Sequence, residues 1–254
     1  MKIGATDRRM AGKPGSGPFI GILMLDTAFP RITGDGGNPD SYPFPVRLRK
    51  ITGAGALDIV RDGQPSEELT QAFVEAARQL EAEGAAGIVS TCGFLVTVQH
   101  RIASAVSVPV ILSALSLYPA IFEAHGQAPV GIITASARQF GNAVLHAAGI
   151  YHGRIPIAGM EDVPAFANAI LTNQLNGGKH FDAAAIRDAV VAKARAMQAQ
   201  EPAIGAILLE CTNLPPYAEA IRQATGLPVY SILDVAQILW GLSVSGQRQA
   251  GASH

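Results

Sequence analysis

The chain is poor in charge. Only 15% of its 254 residues are Asp, Glu, Lys or Arg, against about 25% in an average soluble domain. The charges nearly cancel, 19 basic against 20 acidic, for a formal net charge of −1. A nucleic-acid binder needs a basic excess to neutralise phosphates, and there is none. Long acidic runs of the kind that keep a tail unfolded are also missing. No apolar stretch is both long and clean enough for a membrane span. Residues 102–122 lack charge, but Ser104, Ser107, Ser113, Ser116, Pro109 and Pro119 interrupt them; they read as buried helix, strand and helix in series. Lys2, Arg8, Arg9 and Lys13 are followed by no apolar segment, so the N-terminus does not read as a signal peptide. Residues 1–18 are expected to be a disordered leader, and the cytoplasm is the default compartment. No internal repeat of solenoid length occurs.

Cysteine is scarce too, at two residues. Neither has a second Cys or a His at zinc-ligand spacing, which argues against a metal site. Thiols are the expected state in that compartment, although spacing alone does not decide against a disulfide. What the chain has in quantity is apolar residues, 48%, and glycine, 27. Such a chain buries much of itself, and its composition suits a homodimer or higher homo-oligomer.

Short apolar runs alternate with helical periodicity along the sequence. Residues 19–25 (FIGILML), 86–90 (AGIVS), 108–112, 130–134 (VGIIT), 204–209 (IGAILL) and 228–231 read as buried strands. Helices are expected after Pro65 with Ser66 as N-cap, at 97–106, 115–124 and 137–148, from Asp182 to about Gln198, and at 215–225 and 234–242. Residues 247–254 read as a frayed tail. Strands without in–out alternation are covered on both faces, so the pattern predicts an α/β fold with mainly parallel sheets. In such sheets ligands bind beyond the carboxyl ends of the strands.

Both cysteines fall there. Cys92 follows AGIVS in Ser90-Thr91-Cys92-Gly93-Phe94, and Cys211 follows IGAILL in Glu210-Cys211-Thr212-Asn213-Leu214-Pro215-Pro216. Strand-to-helix turns present free backbone N–H groups, which favour a thiolate. A free cysteine is often only a small buried hydrophobe, but two at equivalent positions point to chemistry. The loop from Pro30 to Pro45, with Arg31, Asp35, Asn38 and Asp40, is long enough to be functional. Arg31 is expected in solvent, with contact to an anionic substrate as the alternative. Gly53-Ala54-Gly55 has neither the preceding strand nor the full spacing of a dinucleotide turn. The histidines at 100, 125, 146, 152 and 180 form no cluster along the chain.

These residues carry a resemblance over roughly residues 19–242. Glu210–Pro216 resembles the second-cysteine motif of the aspartate/glutamate/hydantoin racemase superfamily, and Thr91-Cys92-Gly93 resembles its first-cysteine turn. Leu25-Asp26-Thr27 resembles the Asp-Thr pair after its first strand, and residues 130–136 resemble the strand and turn that open its second lobe. Gly93, Phe94 and Asn213 depart from the residues usual in glutamate racemases, which points away from glutamate as substrate.

The resemblance implies two pseudo-twofold lobes, residues 19–114 plus 231–254 with Cys92 and residues 115–230 with Cys211, around a cleft. It implies cofactor-independent racemisation or epimerisation of a small amino acid, hydantoin or related carboxylate, Cys92 and Cys211 serving as base and acid on opposite faces. Thr134, Thr212 and the backbone around Gly93 and Phe94 would hold the substrate carboxylate. Asn213 would bind substrate or orient Cys211, Asp26 would assist Cys92, and Asp26 and Thr27 would contact the substrate. Three alternatives stand beside this. One is a maleate cis–trans isomerase with a nucleophilic cysteine. Another is an arylmalonate decarboxylase-like enzyme, against which Cys92 counts. The third is a non-catalytic two-lobed binding protein.

Overall fold

A computed structural model describes residues 17–151, 155–172 and 181–251, with side chains described to residue 245. The leader expected at residues 1–18 lies almost wholly outside them, as do His152 and His180.

The chain forms two parallel sheets flanked by helices, the α/β fold the sequence predicts. In the first, β1 (Phe19–Leu25) lies between β2 (Val46–Ile51) and β3 (Ala85–Ser90). In the second, the order is β5 (Ile157–Gly159), β4 (Val130–Thr134), β6 (Ala206–Leu209) and β7 (Val229–Tyr230). All pairings are parallel. A one-residue bridge from Ile88 to Val110 gives the first sheet a counterpart of β7. Thus β1, β2 and β3 take the places of β4, β5 and β6, and the two cysteines follow equivalent strands.

Helix Glu67–Ala82 covers the first sheet. Ser66 caps it by accepting from the Leu69 N–H at 3.2 Å. Phe73, Ala77 and Leu80 lie on its buried face, and side chains of the size of Phe73 and Leu80 each contribute about 1.5–3 kcal/mol when buried. Gly84, at φ +94°, ends this turn of chain in a conformation that favours glycine. Gly21 on β1 brings the Leu80 side chain close; an added Cβ would lie 2.9 Å from Leu80 Cδ1. Gly131 on β4 does the same beneath Met197 of helix Ala183–Gln200, which Asp182 caps at the Ala185 N–H (2.9 Å). The last helix, Ile232–Gly251, returns to the first sheet. Its Ile232, Val235, Ala236 and Leu239 pack on Ile20, Ile22 and Val89.

Several local expectations are corrected. Residues 108–112 make one bridge rather than a strand. Residues 93–98 form a 3₁₀ turn that leads into a short helix at Gln99–Ala103. Residues 247–251 continue the last helix instead of fraying. Two strands, β2 and β5, have no counterpart in the reading of the sequence. β2 is an edge strand carrying Arg47, Arg49 and Lys50, which removes the apolar signal.

Candidate active site

The carboxyl ends of the two sheets meet around a small, partly enclosed pocket. Cys92 and Cys211 both line it, each two residues beyond the end of its strand (Ser90 for β3, Leu209 for β6). Both are free thiols, 7% and 6% exposed. Gly93, Asn213 and Thr27 also line the pocket.

The residue before each cysteine ties its strand to the central strand of its sheet. The Thr91 N–H donates to Leu23 O and the Glu210 N–H to Ile133 O, both at 2.9 Å. The side chains then repeat the theme. Thr91 Oγ1 accepts from the Leu25 N–H at 3.1 Å. Glu210 Oε2 accepts from the Thr134 hydroxyl at 2.8 Å and from the Ala135 N–H at 3.3 Å. Glu210 lines the pocket, fully buried, and its other oxygen, Oε1, has no hydrogen-bond partner among the described residues.

The loop after β1 closes the first-sheet side of the pocket. The Arg31 side chain is buried there, 8% exposed, not in solvent as the sequence suggests. Its guanidinium donates to Asp35 Oδ1 at 2.6 Å and to Thr27 Oγ1 at 2.8 Å, and it lies 4.7 Å over the Phe29 ring. Asn213 Nδ2 donates to Asp35 Oδ2 at 2.8 Å, and the Cys211 thiol donates to Asn213 Oδ1 at 3.5 Å. Further bonds cross between the halves. The Thr212 hydroxyl donates to Thr91 O at 2.5 Å, and the Gly36 N–H donates to Thr212 O at 2.9 Å. One network therefore runs from Cys211 through Asn213 and Asp35 to Arg31.

The electrostatics reverse one expectation. Both thiols are pushed above the usual cysteine range, by burial first and by the nearby Glu210 carboxylate second. Backbone N–H groups of Phe94 and Leu95 favour the Cys92 thiolate, and that of Asn213 favours the Cys211 thiolate, but desolvation outweighs them. The turns that follow are 3₁₀ pieces, Gly93–Val98 and Pro215–Tyr217, not long helices with full dipoles. Burial also raises Glu210, to about 7.

Not every residue suggested by the resemblance reaches the pocket. Thr134 and Thr212 are buried and act through Glu210 and Thr91. Phe94 is buried in the core, edge-on to Phe140. Asp26 points elsewhere: it accepts from the Gly53 N–H at 3.0 Å and pairs with Lys50 at 3.0 Å. Those two contacts, in that order, hold its carboxyl below the usual range. We expect Asp26→Asn to leave turnover within about twofold of wild type, since surface pairs contribute little; a loss beyond tenfold would restore Asp26 to the site.

Residues missed in the sequence include Glu210, Phe29, and Ile170 and Leu171 of a π-helical turn at Ala167–Leu171. A charged residue ending an apolar strand was the available signal for Glu210. Among the described residues no cluster of metal-ligating side chains occurs, and no helix is long and apolar enough to cross a membrane.

Known proteins resemble this chain at three levels. A family model described as Asp/Glu/Hydantoin racemase matches residues 46–237. The dimethylsulfoniopropionate lyase of Durusdinium sp. clade D is 33% identical over 232 residues, which cover 87% of this chain and 75% of that protein. Dimethylsulfoniopropionate lyase 7 of Emiliania huxleyi strain CCMP1516 is 31% identical over 228 residues, covering 85% of this chain but only 64% of the lyase. Allantoin racemase from Klebsiella pneumoniae shares the fold at a TM-score of 0.58 and 15% identity, covering 90% of this chain and 89% of that one. Unliganded arylmalonate decarboxylase does so at 0.56 and 17%, covering 90% and 92%. With a family match over most of its length and two cysteine turns on equivalent strands, the chain belongs to the Asp/Glu/hydantoin racemase family.

Proposed function

We propose that this chain is a cofactor-independent lyase that uses a cysteine to remove the proton α to a carboxylate and expel a β-sulfonium group, with dimethylsulfoniopropionate as the model substrate. The observation that carries the reading is the convergence of two thiols and one buried carboxyl on a small, partly enclosed pocket. The names of the curated relatives supply the leaving group.

The chemistry balances without a cofactor. One cysteine, as thiolate, takes the α-proton and becomes a thiol. The electrons of that C–H bond form the double bond to the β-carbon. The C–S bond breaks, its electron pair leaves on sulfur, and the products are dimethyl sulfide and acrylate. The acquired proton then passes to solvent. The resting thiols are protonated because burial and the Glu210 carboxylate disfavour the thiolate. A bound cation opposes both effects and so favours the reactive form at the moment substrate arrives.

Racemisation at a carbon α to a carboxyl or in a hydantoin ring is the second reading. The presence of both thiols in one pocket favours it, since inversion needs a base on one face and an acid on the other.

Proton NMR in D₂O separates the two. With dimethylsulfoniopropionate, the lyase reading expects acrylate and dimethyl sulfide in equal amounts. Loss of the α-proton signal from chiral amino acids or hydantoins, without acrylate from the sulfonium compound, would replace it by racemisation. No change in any compound would sink both.

A further inference from the structure

The two halves of the site solve one structural problem in two ways. In the first, Thr91 bridges β3 to the end of β1 with a single oxygen, and nothing is left over. In the second, Glu210 occupies the equivalent position and bridges β6 to the end of β4 through Oε2 alone. A threonine suffices for the link, so the second carboxylate oxygen is surplus to the fold. It is also costly, because an unpartnered buried acceptor carries its full desolvation penalty. Yet space is kept for it: a Cβ on Gly93 would lie 2.3 Å from Oε1.

Among the described residues, four buried side-chain polar atoms lack a partner: Arg31 Nε, Arg49 Nε, Glu210 Oε1 and Tyr217 OH. Two of these four, an anionic acceptor and a cationic donor, belong to residues lining the same pocket. The remaining lining is mostly apolar, with Leu25, Phe29, Val60, Ile170 and Leu171 prominent. A mostly apolar pocket with one unpartnered carboxylate oxygen, and one unpartnered N–H on a guanidinium already paired with Asp35, suits a short zwitterion with a methylated cationic end and a hydrogen-bonding carboxylate end.

We propose that Glu210 is the specificity-determining counter-charge for a cationic onium group of the substrate, with the substrate's carboxylate directed toward Arg31. The proposal rests on reading this pocket as the substrate site and narrows its substrates to onium carboxylates. The Glu210 carboxylate supplies attraction in a water-poor space, where a fixed opposite charge outweighs what solvent would give.

The test uses two isosteric ligands, 3-(trimethylammonio)propanoate and 4,4-dimethylpentanoate, which differ only in the charge of the quaternary centre. Binding to the wild-type protein is measured by calorimetry at pH 8. The ammonium compound is expected to bind about tenfold more tightly or better, as for a contact to a charged group. This comparison needs no variant. In Glu210→Gln, which keeps a side-chain amide for Thr134, the preference should disappear.

The pH profile separates a counter-charge from a merely structural residue. Glu210 titrates near 7 in the empty pocket, so the preference should grow between pH 6 and 8. At pH 6, a tenfold preference implies release of roughly 0.4 proton when the ammonium compound binds, and a stronger preference releases more. The other ionisable groups facing Glu210 are the two thiols, both held protonated over that range, and the Arg31–Asp35 pair on the loop. Glu210→Gln should give a flat profile.

Equal affinity of the two ligands for wild type, no binding of the ammonium compound, or a preference that survives in Glu210→Gln would each overturn the proposal. A charge preference that depends on Glu210, without dimethyl sulfide from dimethylsulfoniopropionate, would support the counter-charge and overturn the lyase reading instead.

Discussion

Replacing one of the two cysteines by serine is expected to lower dimethyl sulfide release by about 10²–10⁴-fold, the usual contribution of a single general base. Serine keeps the size of the side chain but ionises far less readily, and the pocket already disfavours charge on that atom. The pattern across the pair matters more than either value. Elimination needs one base, because dimethyl sulfide leaves as a neutral molecule and takes no proton. One of Cys92→Ser and Cys211→Ser should therefore carry the large loss, and the other should stay within about tenfold of wild type, at the level of a positioning effect. Racemisation needs both thiols, so both variants would fail alike. Headspace gas chromatography for the lyase reaction, with circular dichroism to confirm folding, distinguishes the cases. Full activity in both variants would remove cysteine chemistry altogether.

Gly93→Ala should be nearly as damaging, although it adds one methyl group. The new Cβ would lie 2.3 Å from Glu210 Oε1 and 2.5 Å from the Glu210 carbonyl oxygen. The carboxylate could swing away, but the carbonyl belongs to the turn that also holds Cys211 and cannot. The backbone must shift on one side, beside Cys92, or on the other, beside Cys211. Displacements of about 1 Å at reacting groups cost about 10²-fold in rate, so we expect at least that loss in kcat/KM. Overpacking of this kind costs about 1–3 kcal/mol, which corresponds to a fall in Tm of roughly 2–10 °C for a domain of this size. A variant with wild-type kinetics and Tm would show that Glu210 and Gly93 are not in the contact described.

Much of the fold was legible because its central strands are buried on both faces. Residues 19–25 and 130–134 are apolar without alternation, and they are the middle strands of the two sheets. The edge strands β2 and β5 were not legible, since an edge strand needs only one apolar face and Val46–Ile51 spends three of its six positions on Arg47, Arg49 and Lys50. The cysteines could be placed at the site by a local rule, as each lies two residues beyond the end of a strand. Asp26 follows a strand too, and the same rule misplaces it, because a lysine on the neighbouring strand and a glycine N–H draw it outward.

The sequence by itself determined where the strands end and therefore that both thiols face one end of the sheets. Apolar periodicity is a local property, set by which residues tolerate burial on two sides. Only the tertiary structure decided the ionisation of the site. Whether a thiol or carboxyl carries charge depends on the groups that surround it from distant parts of the chain: Glu210 beside Cys92, Arg31 held by Asp35, and Gly93 leaving room for an oxygen that none of the described residues satisfies. Desolvation accumulates over all of those neighbours at once, so no window along the sequence contains it.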